Sequence, residues 1–397
     1  MFMVLAKDDL YRYWGKANCG NENILTESHL LPYHCLDVAA VAAYWWDHAP
    51  ALRKQFTQGE SEAEYRGWLL FFIALHDLGK WDIRFQVKCW SAWEALNSAP
   101  SGKNAIGKTW DHGQGGLYWF RQDFDADTHY DSAFITHDVH PKEQWFPWME
   151  AVAGHHGYIH QHIDLIASEL ALHFQLKPLG ERDKQARLAW LDALAVLFLQ
   201  PAGLSLDDDP PSCSPLLAGF CSISDWLGSW STEETFQFQS APEPLHDYYT
   251  RRYAVDAPTV MQRSGLLSAI NRWGGIAALL DTGYQPRQLQ TLVDELPDEP
   301  GLTIIEAPTG SGKTETALAY AWRLLASGYA DSIIFALPTQ ATANAMLNRL
   351  DKLASTLFDQ PNLILAHGNS RFSTDFRAIK SRSQSVQEEE AWAQCCE

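Results

Sequence analysis

Residues 68–80 have the sequence WLLFFIALHDLGK, and this stretch decides the fold that we predict for most of the chain. The eight residues before the histidine are all apolar, which is typical of a helix surrounded by other helices. The pattern predicts a buried helix over Glu62–Leu78. We expect Gly79 to end this helix, because glycine is the preferred residue just beyond a helix terminus.

Two polar residues, His76 and Asp77, close this apolar helix. An unpaired carboxylate at the end of so apolar a segment is costly, so a cation is expected beside Asp77, either Lys80 or a metal ion. We predict His76, Asp77 and Lys80 as catalytic residues. Lys80 has two interpretations, a contact to a substrate phosphate or a solvated lysine that complements the helix dipole.

Further histidines and aspartates occur in short motifs along the same part of the chain. A single histidine is usually an ordinary core or surface residue. The ordered series YHCLD, HD-x-G-K, DHG, GHHG and SDWLG is more specific, and it predicts metal ligation by all of its members. The predicted ligands are His34, His76, Asp77, His112, His155, His156 and Asp225.

The composition of this ligand set indicates its chemistry. Five imidazoles and two carboxylates can hold two divalent cations, with one carboxylate bridging them. With neutral imidazoles the centre keeps a charge of roughly +2, which attracts a phosphodiester and lowers the pKa of bound water. Nitrogen-rich ligation favours iron, manganese, nickel or cobalt over magnesium, which prefers oxygen ligands.

The organisation of the chain changes after about residue 260. Before this point helical patterns dominate, with further helices predicted from about Tyr33, near Leu188–Leu199 and near Leu216–Leu227. Beyond it, short β-branched runs alternate with helices, which predicts a partial parallel sheet with helical crossovers. The predicted strands are Leu302–Glu306, Ser332–Leu337 and Asn362–Ala366, and the predicted helices are Lys313–Leu325 and Thr339–Leu357.

A nucleotide phosphate loop follows the first of these strands, in the sequence APTGSGKT at residues 307–314. Its glycines let backbone N–H groups surround a phosphate at a helix N-terminus, the lysine meets the β and γ phosphates, and the threonine holds magnesium. Alanine replaces the first glycine of the strict pattern, a form that is common in helicase-type motors. The sequence predicts ATP with magnesium at Thr309, Gly310, Ser311, Gly312, Lys313 and Thr314.

Flanking motifs resemble those of superfamily 2 helicases. Residues 283–290 resemble the adenine-reading Q motif, in which Gln290 would bond the base edge and Tyr284 would support it. Residues 338–344 resemble the next helicase motif, and predict contacts from Thr339 and Gln340 to a nucleic-acid backbone. The basic stretch around Arg371 has two interpretations, a single-strand contact strip or a solvated face.

Composition limits the possible partners and compartments. The 397 residues carry 30 basic and 49 acidic side chains, a net charge of −19, so nucleic-acid contacts must be local or pass through metal ions. No apolar run is long enough for a membrane span, and we expect no membrane partner. Residues 1–6 are too short for a signal-peptide core. We therefore expect a cytoplasmic protein whose seven cysteines are reduced.

With both sets of motifs in this order, the chain resembles the nuclease-helicase family of type I CRISPR interference, and more narrowly its subtype E branch. The resemblance covers essentially the whole sequence. It is carried by Tyr33–Val38, Trp68–Gly79, Gly115–Phe120, Trp145–Gly157 and Gln285–Ala345.

This resemblance implies a mainly α HD-type helical domain over residues 1–265, followed by a partial α/β RecA-like parallel sheet. A linker and Q-motif region would span residues 266–300, and the start of the first RecA-like helicase domain residues 301–397. It also implies two metal sites that share Asp77. The first would contain His34, His76, Asp77 and Asp225, and the second Asp77, His112, His155 and His156.

The family's activity is degradation of single-stranded DNA after recruitment by the RNA-guided Cascade surveillance complex, while an ATP-driven motor moves 3′ to 5′. Sequence choice is then made by the guide RNA. This chain departs from the pattern because it contains neither a D-E-x-H nor an S-A-T motif, so we expect helicase activity only of a full-length version. Two alternatives stay open, an HD phosphohydrolase acting on nucleotides and a non-catalytic module that docks on Cascade.

Overall fold

The computed structural model describes residues 7–19, 25–97, 110–124, 144–157, 177–281, 283–299 and 301–365. The chain divides into two compact units between Arg263 and Ser264. Most of the described residues are helical. None of the described helices is both long enough and apolar enough to cross a lipid bilayer.

The first unit begins with a short 3-10 helix over Lys7–Arg12, and a hairpin that the sequence did not predict follows it. Strand β1 (Trp14–Cys19) pairs antiparallel with β2 (Leu25–Leu30). The helices that follow are α1 (Leu31–His48), α2 (Pro50–Thr57), α3 (Glu62–Ile73), α4 (Ile83–Gln86), α5 (Trp90–Leu96), α6 (His112–Phe124), α7 (Trp145–Ala153), α8 (Lys177–Leu194), α9 (Leu217–Gly228), α10 (Leu245–Arg251) and α11 (Ala257–Ser264).

Helices α1 and α3 form the centre of this unit. Every residue from Leu31 to Ala43 is buried, as is all of α3 from Gly67 onward. Aromatic pairs join α3 to its neighbours, with Phe72 stacked on Trp148 of α7 at 5.3 Å between ring centroids. Because the buried parts of both helices are enclosed on all sides, they are rigid supports for the residues that lie beside them.

The predicted buried helix is present, but it ends earlier than its apolar run indicated. Helix α3 stops at Ile73, and tight turns with i to i+3 hydrogen bonds continue to Lys80. The His76 ring takes part in this change, because its Nδ1 lies 2.8 Å from the carbonyl oxygen of Ile73. Gly79 therefore does not end the helix, contrary to the prediction.

Gly79 permits a close approach between two segments. A Cβ atom at this position would lie 2.0 Å from the carbonyl oxygen of His112 and 2.5 Å from the amide nitrogen of Gly116. The backbone at Gly79 thus rests directly on the first turn of α6.

The other helices predicted in the first unit are present with shifted ends. The helix predicted near Leu188–Leu199 is α8, which continues as a π-helical turn over Ala195–Leu199. The prediction of reduced cysteines is wrong for Cys89, which is disulfide-bonded. Cys35, Cys213 and Cys221 are free thiols. Cysteine spacing carries no information about which thiols meet in space.

The second unit contains α12 (Gln288–Thr291), which the sequence did not predict, and α13 (Lys313–Ala326) and α14 (Gln340–Leu357), which match the two predicted helices. The predicted parallel sheet is absent from the described part of this unit. Residues 302–306, 332–337 and 362–365 form no ladder, and Ala366 lies outside the described residues. The exposed fractions of Leu302, Ile304 and Ile334 are 89%, 74% and 92%. Strand propensity reflects packing on a pleated, partly buried surface, and these side chains have no such surface.

A buried carboxylate in α8 should make the stability of the first unit depend on pH. Asp183 accepts hydrogen bonds from the Tyr13 hydroxyl at 2.7 Å and the Ile83 amide at 2.9 Å. Burial, reinforced by the nearby charge of Asp82, raises the pKa of Asp183 to about 7. In the unfolded chain the pKa of an aspartate is about 3.9, so the native state binds more protons between these two values.

We therefore expect the free energy of unfolding to fall as the pH rises from about 4 to about 7, and the Asp183→Asn variant to lack this part of the decline. Each unit of pKa shift corresponds to about 1.4 kcal/mol. Urea unfolding of both proteins at pH 5 and pH 8 measures the difference. Equal pH dependence in the two proteins would contradict the prediction, and Glu64→Gln, on an exposed position of α3, is the control.

Candidate metal centre

The predicted ligands come from five separate elements of the first unit and meet in one place. His34 lies in α1, His76 and Asp77 in the turn after α3, and His112 begins α6. The other three lie in the turn after α7 and in α9. Potential ligand atoms lie within 4.8 Å of one another in three groups, which are His34 with His76 and Asp77, His76 with His155 and Asp225, and His112 with His155 and His156.

Asp77 is the centre of this arrangement. Its Oδ2 lies 3.0 Å from His34 Nε2 and 3.3 Å from His76 Nε2. Its Oδ1 lies 3.5 Å from His112 Nε2 and 3.8 Å from His155 Nε2. The two oxygens of one carboxylate thus face different pairs of imidazoles, which is the geometry that a bridging ligand needs.

A second carboxylate, Asp225, faces the same imidazoles from α9. Its Oδ1 lies 3.6 Å from His34 Nε2 and 3.7 Å from His76 Nε2, and its Oδ2 lies 4.0 Å from His155 Nε2. On the other side of the centre, His112 Nε2 and His156 Nε2 are 2.9 Å apart. Nitrogen and oxygen atoms therefore converge from several directions.

Several buried polar atoms in this cluster have no hydrogen-bond partner, as is expected at a site that binds a cation. They are His34 Nδ1, His76 Nε2 and both oxygens of Asp77. Lys80 Nζ lies 2.7 Å from Asp77 Oδ2, but neither carboxylate oxygen accepts a well-directed hydrogen bond. Unpaired buried acceptors are costly, and a divalent cation would satisfy them. The donor set fits transition-metal ions.

Two backbone carbonyls orient the imidazoles, a feature that sequence motifs cannot reveal. His76 Nδ1 lies 2.8 Å from the carbonyl oxygen of Ile73, and His155 Nδ1 lies 2.8 Å from that of Val152. When Nδ1 donates to a carbonyl, the Nε2 lone pair points to the centre and is free to bind a metal. Both histidines lie in a tight turn just after a helix, and the turn brings each Nδ1 close to the carbonyl oxygen of the residue three positions earlier.

The protonation states also favour metal binding. Burial lowers the pKa of His34 to about 3 and that of His155 to about 4, so both rings are neutral at physiological pH. Burial alone would raise the pKa of Asp77, but Lys80 and His76 hold it well below its usual range. Neutral His34 and His155 and an ionised Asp77 are in the states that metal ions require. Although burial opposes it, the charge of Asp77 raises the pKa of His76, so this ring must lose its proton when a metal ion binds.

In the second unit, two glycines of the predicted phosphate loop have positive φ angles. Gly310 and Gly312 have φ values of +82° and +93°, and α13 begins at Lys313. Lys313 Nζ donates to the carbonyl oxygens of Ala307 and Pro308 at 2.6 Å and 2.9 Å. The lysine thus spans the loop where a phosphate would lie. Thr309, Ser311 and Thr314 complete the loop.

Gln290 of the Q-motif region lies against this loop. Its side chain is buried, and a Cβ atom at Gly312 would lie 2.3 Å from Gln290 Nε2. Tyr284 is 69% exposed, as a residue available for stacking would be. Thr339 is the N-cap of α14 and accepts a hydrogen bond from the Thr342 amide, and Gln340 begins that helix. Arg371 lies outside the described residues.

Comparison with known protein families agrees with this architecture. The sequence model of the family described as Cas3, HD domain, matches residues 14–233. The model described as type III restriction enzyme, res subunit, matches residues 281–394. Together they imply the use of metal by the first region and of nucleotide by the second.

Individual relatives are similar over nearly all of this chain. The CRISPR-associated endonuclease/helicase Cas3 of Escherichia coli K12 is 54% identical over 97% of the chain and 45% of the relative. A T. fusca Cas3–ADP crystal structure matches 92% of this chain and 40% of that chain, with a TM-score of 0.65 and 22% identity. A chain in a pre-nicking CRISPR RNA-guided surveillance complex matches 86% of this chain and 38% of that chain, with a TM-score of 0.56 and 23% identity.

The helical fold and the histidine and aspartate cluster define a protein of the HD-domain class. Within that class, the chain belongs to the Cas3 HD-domain family, whose model covers more than half of it. The chain spans less than half the length of the E. coli relative.

Proposed function

We propose that this chain contains the nuclease part of a CRISPR-associated nuclease/helicase that cleaves single-stranded DNA with the help of two transition-metal ions. The main observation behind this proposal is that imidazoles and carboxylates converge at a site with buried polar atoms that lack a hydrogen-bond partner. The E. coli relative, which is named an endonuclease/helicase, supports the proposal.

The proposed ligands divide into two sets around Asp77. His34, His76 and Asp225 would hold one cation together with Asp77, and His112, His155 and His156 would hold the other, also with Asp77. Iron, manganese, nickel or cobalt ions in these sites supply Lewis acidity toward the phosphodiester and lower the pKa of water.

The protein's own residues orient these groups and bind the substrate. Ile73 and Val152 fix two imidazole rings through their carbonyl oxygens. Lys80 balances the charge of Asp77 at 2.7 Å and is partly accessible, with 12% of its side chain exposed. We assign to Lys80 a contact to the substrate phosphate, since its ammonium group can donate further hydrogen bonds.

The second unit would bind ATP and magnesium through Thr309 to Thr314 and Gln290, while Thr339, Gln340 and Arg371 would contact the DNA backbone. The domain limits that we propose are residues 1–265, 266–300 and 301–397. ATP-driven 3′ to 5′ movement belongs to the full-length protein. Recruitment by Cascade in the cytoplasm, as part of antiviral defence, is the biological setting that we infer.

The test of the nuclease proposal is incubation of the purified chain with circular single-stranded DNA and manganese or nickel. We expect fragments to appear, because a circle has no ends and must be cut internally. EDTA should reduce the rate by a hundredfold or more, in keeping with the dependence of such sites on their ions, and excess metal should restore it. Intact circles in every metal tested would contradict the proposal.

Two further measurements separate the alternatives. Release of phosphate or nucleoside from small nucleotides, without DNA cleavage, would indicate a nucleotide phosphohydrolase. Retention by DNA-loaded Cascade with no strand breaks, whatever metal is present, would indicate a docking module.

A further inference from the structure

A lysine that no sequence motif singles out lies beside the metal centre. Lys16 belongs to β1 and is partly buried, and its Nζ donates to the carbonyl oxygen of Ser229 at 3.1 Å. Ser229 follows the end of α9, the helix that carries Asp225. The Ser229 hydroxyl in turn donates to Asp225 Oδ1 at 3.0 Å. One residue thus links the ammonium group to a carboxylate of the centre.

Strand β1 forms a wall of the centre at this point. A Cβ atom at Gly15 would lie 2.8 Å from His34 Cβ, so the strand backbone contacts the helix that carries His34. Lys80 Nζ lies 3.4 Å from the carbonyl oxygen of Gly15 and 2.7 Å from Asp77 Oδ2. Lys80 thus contacts the strand residue that precedes Lys16, and the two ammonium groups serve different carboxylates. Lys80 faces Asp77 directly, and Lys16 is linked to Asp225 through Ser229.

The two lysines differ in how their charges are balanced. Asp77 neutralises Lys80 directly. Lys16 contacts a neutral carbonyl, and within the described part of the chain no carboxylate oxygen lies within 4.0 Å of its ammonium group. An ammonium group has three donors, and the bond to Ser229 uses one of them. Burial lowers the pKa of Lys16 to about 8, although the negative charge of Asp225 acts to raise it. Lys16 thus places a positive charge beside the centre, and its ammonium group has N–H donors that the bond to Ser229 does not use.

We propose that Lys16 is a substrate-binding residue that holds a non-bridging phosphate oxygen of the DNA strand beside the metal centre, opposite Lys80. The inference rests on the proposed nuclease function and extends it to a second phosphate contact. Phosphate oxygens are the acceptors that lysine binds as a point charge. Together, Lys16 and Lys80 would also set the path of the strand across the two proposed metal sites.

The test compares Lys16→Gln with Lys16→Arg. Glutamine can still donate to the Ser229 carbonyl but carries no charge, whereas arginine keeps the charge. We expect Lys16→Gln to raise KM for a single-stranded oligonucleotide about tenfold, the size of one charge-assisted hydrogen bond, with kcat changed less. Lys16→Arg should recover most of the loss. Lys54→Gln, which removes an exposed lysine from α2, is the matched control and should match the wild type.

Binding and metal content give readouts that do not depend on cleavage. Anisotropy with a phosphorothioate oligonucleotide should show weaker binding by Lys16→Gln and a salt dependence reduced by about one phosphate contact. Metal content and melting temperature should stay at wild-type values.

Two outcomes overturn the inference. Unchanged KM and unchanged oligonucleotide affinity in Lys16→Gln would show that the charge does not meet the substrate. Loss of metal or a lowered melting temperature, equal in the glutamine and arginine variants, would show that Lys16 only supports the end of α9. A wild-type protein that binds single-stranded DNA without cleaving it would instead contradict the nuclease proposal. The Lys16 comparison would then be decided by binding alone.

Discussion

Replacing Asp77 with asparagine is expected to remove metal binding and DNA cleavage together. Asp77 touches both halves of the centre, with His34 and His76 near Oδ2 and His112 and His155 near Oδ1. Asparagine keeps the shape but removes the negative charge that both cations share. Changes in residues that merely orient metal ligands cost about 10- to 100-fold in affinity, and loss of a bridging ligand should exceed that range.

The measurement is elemental analysis of the purified variant together with the rate of cleavage of circular single-stranded DNA. We expect less than a tenth of the wild-type metal content after dialysis, and cleavage reduced by more than about a hundredfold. Glu64→Gln removes the same charge from an exposed site on α3 and should behave as the wild type. A variant that keeps full metal content and full cleavage would show that Asp77 is not a ligand.

The sequence identified the parts of the centre that are written in local patterns. The apolar run before His76 predicted a buried helix, and the ordered motifs predicted the residues that meet around Asp77. These predictions succeed because a helix that is apolar all round must be enclosed, and a polar residue at its end must then have a partner. Their assignment as ligands stays a prediction that metal analysis must test.

Other features depend on contacts between distant segments and leave no local signal. Lys16 is an ordinary lysine in a short strand, and the role that we propose for it comes only from its contact with Ser229, which is bonded to Asp225. The runs at 302–306 and 332–337 have the composition of strands, but a ladder needs a neighbouring strand and a surface to cover. In the described residues Ile304 and Ile334 are exposed instead. Propensity alone therefore predicted strands that the described residues do not show.

Gly79 is a second residue whose role depends on a distant segment. The sequence predicted that it ends a helix, whereas in the structure it allows the turn after α3 to pack closely on α6. The backbone of Gly79 lies against His112, the first residue of α6. The indole N–H of Trp110 donates to the carbonyl oxygen of Gly79 at 2.9 Å. This contact sets the position of His112, whose Nε2 lies 3.5 Å from Asp77 Oδ1. We therefore infer that the packing of Gly79 positions His112, one of the proposed metal ligands.

We expect Gly79→Ala to destabilise the first unit and to weaken metal binding at the same time. The added Cβ would lie 2.0 Å from a backbone oxygen and 2.5 Å from a backbone nitrogen, neither of which can rotate away. Overpacking of this kind typically costs up to about 3 kcal/mol. Separation of α6 from the turn after α3 would also move His112 away from Asp77.

Urea unfolding and elemental analysis of the variant measure the two effects. The control is Gly219→Ala in α9, where an added Cβ meets no atom within 4 Å. Gly219 is the third residue of α9, so this change should leave stability unchanged or raise it by less than about 1 kcal/mol, because alanine has the higher helix propensity. If Gly79→Ala were as stable as the wild type and held the same amount of metal, α6 would have to be able to move without cost. The close packing between Gly79 and His112 could then not be what positions this ligand.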